Sequence, residues 1–364
     1  MNRLWEYKKI GDVCVVERGG SPRPIDNFIT DNEDGINWIK IGDTSDSMYI
    51  TESAQRIIPE GMKKSRYVKP GDFLLSNSMS FGRPYILKID GCIHDGWLVL
   101  RDEKELFDKR FLYYYLSSKT TYEKFKSMAV GGVVNNLNSE MVRSISVPVP
   151  DKEEQSEIAD LLDRIKAVLD RRKQELRLLD TLIKARFVEM FGDPISEKLY
   201  KIKTIGEIGE VFTGTTPSTK KKDYYENKDI LFIKPGDISE NKVCIVDKAE
   251  NYISDKARKV ARIFPKGSVL VTCIGIIGKI GIAEYESSCN QQINVIVPSP
   301  TVNSTYLAYN LLLVRSNLQN AANAPVVPIL NKTDFSKVEV MVPPYERQCE
   351  FATFVEQVDK SKYV

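Results

Sequence analysis

IGDVCVVERGGSPRP, Ile10 to Pro24, is restated further along the chain as IGEIGEVFTGTTPST, Ile205 to Thr219. Gly11 matches Gly206, Asp12 matches Glu207, Gly19 matches Gly214, Ser21 matches Thr216 and Pro22 matches Pro217. The correspondence continues outward from this segment. WIKIGD (Trp38 to Asp43) pairs with FIKPGD (Phe232 to Asp237), and KPGDFLLS (Lys69 to Ser76) pairs with PKGSVLVT (Pro265 to Thr272). Gly82-Arg83 pairs with Gly278-Lys279, Leu137-Asn138 with Leu330-Asn331, and SVPVPDKEEQ (Ser146 to Gln155) with VMVPPYERQ (Val340 to Gln348). Solenoid units run roughly 20–50 residues, far shorter than this period. The chain therefore carries two copies of a whole domain, which suits one task performed at two places.

The copies occupy 1–150 and 194–343 of a chain of 364 residues, with segments 151–193 and 344–364 following them. Each copy is rich in short strand-like runs punctuated by Gly, Pro and Asp: Val13–Glu17, Asn37–Ile41, Asp72–Ser76, Tyr85–Ile89, Leu98–Arg101 and Ser144–Val149 in the first. Each also holds one helical stretch, Lys109–Met128 and Ser304–Asn320. This predicts a mixed α/β (α+β) class with two tandem domains.

The segment Lys152–Phe191 differs in kind. It lacks Gly and Pro and is dense in Glu, Lys, Arg and Leu, a helix composition. Ile158, Ile165 and Leu179 fall at one heptad position, shared with Arg172 and Arg186; Leu162, Leu169, Leu176, Ile183 and Met190 fall at the other. This is a coiled-coil pattern. At about 1.5 Å per residue the helix is on the order of 55–60 Å long. Gly192 and Pro194 stop it. A second, shorter heptad start follows the second copy, with Phe351, Val355 and Val358 on its seam. Antiparallel pairing would make a pseudo-two-fold rod with a domain at each end. The unequal lengths leave part of the long seam for a protein partner.

Net charge is +2, so positive charge for a nucleic-acid partner must be local. The six cysteines form no CxxC pair and there is one histidine, which argues against a zinc site and for reduced, buried thiols in a cytoplasmic protein. No signal peptide is read at the N-terminus. The apolar run Val269–Ala283 contains glycines and Lys279 and reads as buried strands, not a membrane span.

At this point the chain resembles the specificity subunits of type I restriction–modification systems. The resemblance covers the whole chain. It is carried by two variable domains, each followed by a helix opening on PVPDKEEQSEIADLLDRI or VPPYERQCEFATFVEQV, and by the segments Thr213–Thr219 and Cys289–Ile296. It implies two target-recognition domains, each reading half of a bipartite double-stranded DNA target, with spacer helices that set the gap and dock two modification (methyltransferase) subunits. Restriction subunits would join for cleavage. It implies no cofactor on this chain, with S-adenosylmethionine, ATP and Mg on the partner subunits.

No catalytic motif contradicts this. Val342-Pro343-Pro344-Tyr345 resembles an amino-methyltransferase motif but has Val342 where a polar residue must hold the target amine. Gly275–Lys279 is too short for a phosphate-binding loop. His94-Asp95 has no nucleophile placed beside it by any motif. The alternatives are the specificity subunit of a related type IIB or IIG-like modification enzyme, a fused methyltransferase–nuclease, which would need cofactor motifs this chain lacks, and a bare coiled-coil scaffold, which would leave the duplicated domains unexplained.

The candidate DNA contacts follow from side-chain chemistry. His94 aligns near Asn290, Gln291 and Gln292, whose amides suit adenine edges or, alternatively, buried backbone groups. Lys220, Lys221 and Lys222 beside Thr215 and Thr216 suit phosphates or a solvated loop; Ser21 and Arg23 hold the corresponding place. Asn77, Ser78 and Arg83 follow a strand end, with Thr272 and Lys279 opposite them. Asn135 and Asn136 lie in a glycine-rich loop.

Overall fold

The computed structural model of the chain describes residues 5–77, 82–129, 136–197, 199–322 and 328–362. The chain gathers into two compact units, Met1–Asp170 and Arg171–Val364. The division falls inside the long helix, so segment 151–193 is shared between the units.

Each unit is built on the same pair of sheets. In the first, one sheet runs in the order Val15–Arg18, Trp97–Arg101, Phe73–Ser76, Pro84–Leu87, Tyr49–Ile50. The other runs Ile29–Thr30, Arg56–Ile57, Ile36–Ile39, Gly91–Ile93, Arg66–Val68. In the second unit the orders are Gly209–Thr213, Ile293–Pro298, Val269–Thr272, Ile280–Ala283, Cys244–Val246 and Asn251–Ile253, Ile230–Ile233, Ser287–Cys289, Ile263–Phe264. The parallel pairings recur at equivalent places: Tyr49 with Ile86 and Cys244 with Gly281, Cys92 with Trp38 and Ser288 with Phe232.

The first sheet of each unit is covered on both faces, which is why its strands read as continuous apolar runs. Successive side chains point to opposite faces. Leu74, Tyr85, Leu87, Trp97 and Val99 therefore pack against Ile39 and Ile93 of the other sheet. Phe73, Leu75, Ile86, Leu98 and Leu100 pack against Phe111, Leu112 and Leu116 of a helix. In the second unit Leu270, Ile293 and Val295 face Leu231, Ile233 and Phe264, while Val269, Val271 and Ile296 face Tyr306, Leu307 and Leu311.

The repeated polar residues are the fasteners of this frame. Asp43 and Asp237 each accept two backbone N–H groups, from Lys40 and Ala54 and from Lys234 and Glu250. Asn138 and Asn331 cap short helices by accepting the N–H of Met141 and Asp334. Asp108 and Asn303 cap the helices Lys109–Ser117 and Ser304–Leu313. Gln155 and Gln348, the glutamines of the repeated helix opening, are fully buried. Each accepts the N–H of that cap residue at 2.9 Å, and each donates to the carbonyl of the proline five residues before it.

Several expected boundaries move. Val13 closes a one-turn helix, Ile10–Val13, and the strand begins at Val15. The stretch Lys109–Met128 is two helices, Lys109–Ser117 and Lys119–Ala129, because Ser118 is extended and its hydroxyl accepts the Thr121 N–H at 3.3 Å as a new cap. Ser304–Asn320 likewise breaks at the buried Val314 into Ser304–Leu313 and Arg315–Asn320.

The long helix, Lys152–Phe191, ends at Gly192, which takes a φ of 80°. Its first turns belong to the first unit. There Ala159 is buried, Ile158 packs on the core, and Leu162 is half-buried. Arg110 bridges Asp160 and Asp163 at 2.7 and 2.8 Å, and the Tyr114 hydroxyl donates to Asp163. Its last turns belong to the second unit, where the final helix, Tyr345–Ser361, runs antiparallel to it. Phe187 meets Phe351 with ring centroids 5.3 Å apart, and Lys362 reaches back to Asp180 at 2.7 Å.

The heptad positions Leu179, Ile183 and Met190 do pack toward the final helix, but on a face wider than two positions. Ile183, Phe187, Met190 and Phe191 are buried with Phe351, Val355 and Val358, and Leu179 packs beside them. Phe187 and Phe191 lie off the two heptad positions, so the buried face is the broad stripe of a helix on a globular core, not a narrow seam. Leu176 is half-buried, while Ile165 and Leu169 are 47% and 55% exposed. No helix among the described residues is long and apolar enough to cross a membrane.

Candidate nucleic-acid interface

One turn recurs at the same end of the main sheet in both units. In the first it is Ile93–Gly96, and in the second it is Cys289–Gln292. Gly19 packs against one and Gly214 against the other. A Cβ would lie 2.1 Å from His94 O at Gly19 and 2.3 Å from Asn290 O at Gly214, so only glycine fits either place. The glycine N–H donates to Trp97 O in one unit and to Ile293 O in the other. Asn77 and Cys273 are equivalent: their N–H groups donate to Gly96 O and Gln292 O, and their carbonyls accept from Leu137 and Leu330. The repeated Leu-Asn step is thus tied to the same turn.

The close approach of the glycine strand brings the next side chains onto the turn. Ser21 donates its hydroxyl to Asp95 Oδ1 at 2.9 Å. Thr216 donates to Gln291 Oε1 at 2.6 Å. The two hydrogen bonds are counterparts, and they orient different groups, a carboxylate and a carboxamide.

In the first unit Arg23 lies 3.6 Å from Asp95 Oδ2, and Arg18 and Asn77 donate to the Asp95 carbonyl. Burial pushes the Asp95 carboxyl up, but the Ser21 hydroxyl, His94 and Arg18 outweigh it and hold it below its ordinary value. Two backbone N–H groups point at the His94 ring, that of Gly96 at Nδ1 (2.7 Å) and that of Ile41 at Nε2 (3.2 Å), and the ring can accept only one of them. An imidazolium has no lone pair for either, and a neutral ring has one. Burial lowers the His94 pKa, with Asp95 partly opposing. His94 is therefore a strut under the turn, and Asp95 is the group presented.

In the second unit Asn290 is buried and its amide is engaged by Gln292, through Nδ2 to Oε1 at 2.8 Å and Oδ1 to the Gln292 N–H. Gln291 is exposed. Thr215 accepts the Arg262 N–H at 3.0 Å, and the Arg262 guanidinium reaches Thr213 O. Lys220 and Lys221 are exposed on the following loop and Lys222 opens the short 3-10 helix Lys222–Tyr225; the Lys221 ammonium lies over the Tyr224 ring.

The other candidates separate into surface and structural positions. Arg83 is exposed and lines a different hollow, beside Ser47, Tyr113 and Tyr122. Lys279 donates to Pro235 O at 3.0 Å. Thr272 is fully buried, with its hydroxyl donated to Ile276 O and accepting the Lys279 N–H, so it shapes a turn. Asn77 is also buried, one amide group short of a partner at Oδ1. Asn136 is half-buried; Ser78 and Asn135 lie outside the described residues. The sequence reading missed Asp95, Arg18 and Arg262 as members of this cluster. The alignment of Asp95 with Gln291 was the available signal.

Residues 2–178 and 197–363 each match the family model described as Type I restriction modification DNA specificity domain. The chain is 22% identical to the HindI specificity subunit of Haemophilus influenzae over 94% of this chain and 90% of that one. It is 33% identical to the MjaIX specificity subunit of Methanocaldococcus jannaschii over 49% of this chain and 43% of that one, so the match spans less than half of that relative. In fold it resembles the S subunit of a type I restriction–modification system from M. genitalium, at 14% identity, TM-score 0.55, over 99% and 91% of the two chains. A second chain, solved in work on the assembly and conformational transition of the type I R-M system, gives TM-score 0.57 at 17% identity over 100% and 92%. With two copies of the domain over almost its whole length, and type I restriction enzyme specificity subunits for relatives, the chain belongs to the Type I restriction–modification DNA specificity family.

Proposed function

We propose that the chain is the non-catalytic DNA-reading subunit of a type I restriction–modification complex, and that each unit reads one half of a split duplex target. The observation that carries this is the pair of equivalent turns, one presenting Asp95 held by Ser21 and the other Gln291 held by Thr216. One frame with different presented groups is what reading two different half-sites requires. A carboxylate accepts from the cytosine amino group, and a carboxamide suits the adenine edge. Half-sites read from one face of the duplex lie about one turn, roughly 34–36 Å, apart, and the continuous helix Lys152–Phe191 is the element that sets the gap. Its exposed Leu161, Ile165, Val168 and Leu169 supply an apolar surface for the modification subunits, two in number. Restriction subunits join the same complex, in the cytoplasm. S-adenosylmethionine, ATP and Mg are held by those partners.

The test is selection from a library of duplexes with the purified chain and its modification subunit. A split consensus is expected. Recovery of no split sequence refutes the reading. Methylation of the consensus by this chain alone refutes the non-catalytic assignment.

A further inference from the structure

We propose that the second unit holds a pocket for one nucleobase swung out of the duplex, and that the first unit does not; this rests on the DNA reading above. The pocket has a volume of about 740 Å³ and opens beside Thr216 and Lys222 of the candidate interface. It is lined by Tyr225, Phe232, Lys234, Asn251 and Asn290.

The first unit shows what this frame does when it is closed. Ala54 and Glu250 make the same hydrogen bond to Asp43 and Asp237, so Gln55 and Asn251 are equivalent. Lys40 is the counterpart of Lys234, Trp38 of Phe232 and His94 of Asn290. In the first unit Lys40 Nζ donates to Gln55 Oε1 at 2.7 Å, and the His94 ring leans on Trp38 with centroids 6.3 Å apart. The side chains satisfy one another.

In the second unit three of these four are shorter. Phe replaces Trp, and Asn replaces both Gln and His. Asn290 bonds Gln292 through its amide, as His94 receives the Gly96 N–H, but it is the smaller side chain. Among the described residues, no protein group hydrogen-bonds the Lys234 ammonium or the Asn251 carboxamide, and both residues are half-buried. The same backbone thus leaves an open space with an unpaired cation, an unpaired donor–acceptor pair and aromatic walls. The Tyr225 ring is fixed by its hydroxyl, which donates to Pro217 O at 2.7 Å.

These are the parts a flipped base needs. Ring faces receive its stacking surface, which offsets the lost stacking in the duplex. The Asn251 amide can pair with the donor and acceptor on its exposed edge. Lys234 and Lys222 can meet the phosphates that flank it. The proposal makes the pocket a determinant of specificity, since an extrahelical base is read on the edge that pairing normally hides.

The test uses the complex of the full chain with its modification subunit and the split duplex it selects. 2-Aminopurine is placed at each position of the half-site read by the second unit. Fluorescence is expected to rise several-fold on binding at one position that is not the methylated base. The double variant N251Q/N290H, which copies the first unit's closed arrangement, is expected to abolish that rise while the second unit's thermal unfolding is unchanged. The variant Y225A checks the stacking wall independently. A rise only at the methylated base, or one that survives both variants, overturns the proposal. So does tight binding of free dAMP, dCMP, dGMP or TMP to the chain with no responding DNA position. Failure to select any split sequence overturns the DNA reading and the proposal with it; a selected split sequence with no such position overturns the pocket alone.

Discussion

Replacing Gln155 by leucine is expected to destabilise the first unit by roughly 2–4 kcal/mol, most of it from groups the leucine leaves behind. The glutamine is fully buried and makes three hydrogen bonds: it accepts the Asp108 N–H and donates to Leu106 O and Pro150 O, each at 2.9 Å. Leucine keeps most of the volume, so the cavity cost is small. The Asp108 N–H and the two carbonyls lose their partner together, at about 1–3 kcal/mol for each that water cannot reach. Partial solvent access to the Asp108 side lowers the sum. Gln155→Glu separates the two halves of the clamp: the carboxylate still accepts from Asp108 but cannot donate to Leu106 or Pro150. All three tryptophans, Trp5, Trp38 and Trp97, lie in the first unit, so tryptophan fluorescence during urea unfolding follows that unit alone. With a slope of about 1–3 kcal/mol per molar urea, the midpoint falls by roughly 1–2 M. Gln348→Leu, the equivalent change in the second unit, is the control: it lowers the far-ultraviolet transition of that unit and leaves the tryptophan transition in place. A Q155L unfolding free energy within about 0.5 kcal/mol of the parent would refute the clamp.

Changing Lys220, Lys221 and Lys222 together to alanine is expected to weaken binding to all duplexes alike and to flatten the slope of log K against log salt by up to about 3, at roughly 0.9 per phosphate contact; an unchanged slope removes them from the phosphate backbone. Ser21→Ala and Thr216→Val release Asp95 and Gln291 respectively, and each is expected to relax base preference at one half-site by about 1–3 kcal/mol while the other half-site is read as before. Loss at both half-sites from either change counts against independent reading. His94, the single histidine, has a folded-state pKa below its ordinary value of 6.5 because of burial. The unfolded chain then takes up the proton first as pH falls, so first-unit stability is full above 6.5 and is lost as pH drops from there toward the folded pKa. Tryptophan-monitored unfolding of the parent and of His94→Gln across this range checks it: the parent should lose more stability on acidification than the variant.

The repeat, the long helix and the family resemblance were legible in the amino-acid order because each rests on local chemistry. Gly19 and Gly214 recur because a backbone carbonyl occupies the space of a Cβ, and Asn138 and Asn331 recur because a helix start needs an acceptor. Such demands act at fixed sequence positions and leave a pattern. The end of the helix at Gly192 is of the same kind.

What tertiary structure alone decided is which side chains meet across the fold. Asp95 and Gln291 became the presented groups because strands far apart in sequence bring Ser21 and Thr216 onto them. His94, read as a candidate contact, proved a support because two backbone amides point at its ring. Thr272 turned inward for a similar reason, its hydroxyl serving a turn. The heptad of the long helix widened to include Phe187 and Phe191 because a globular core buries a broader stripe than a second helix does. Periodicity reports that a face is apolar; only the packed partner determines how wide a face it covers and which polar groups remain free for DNA.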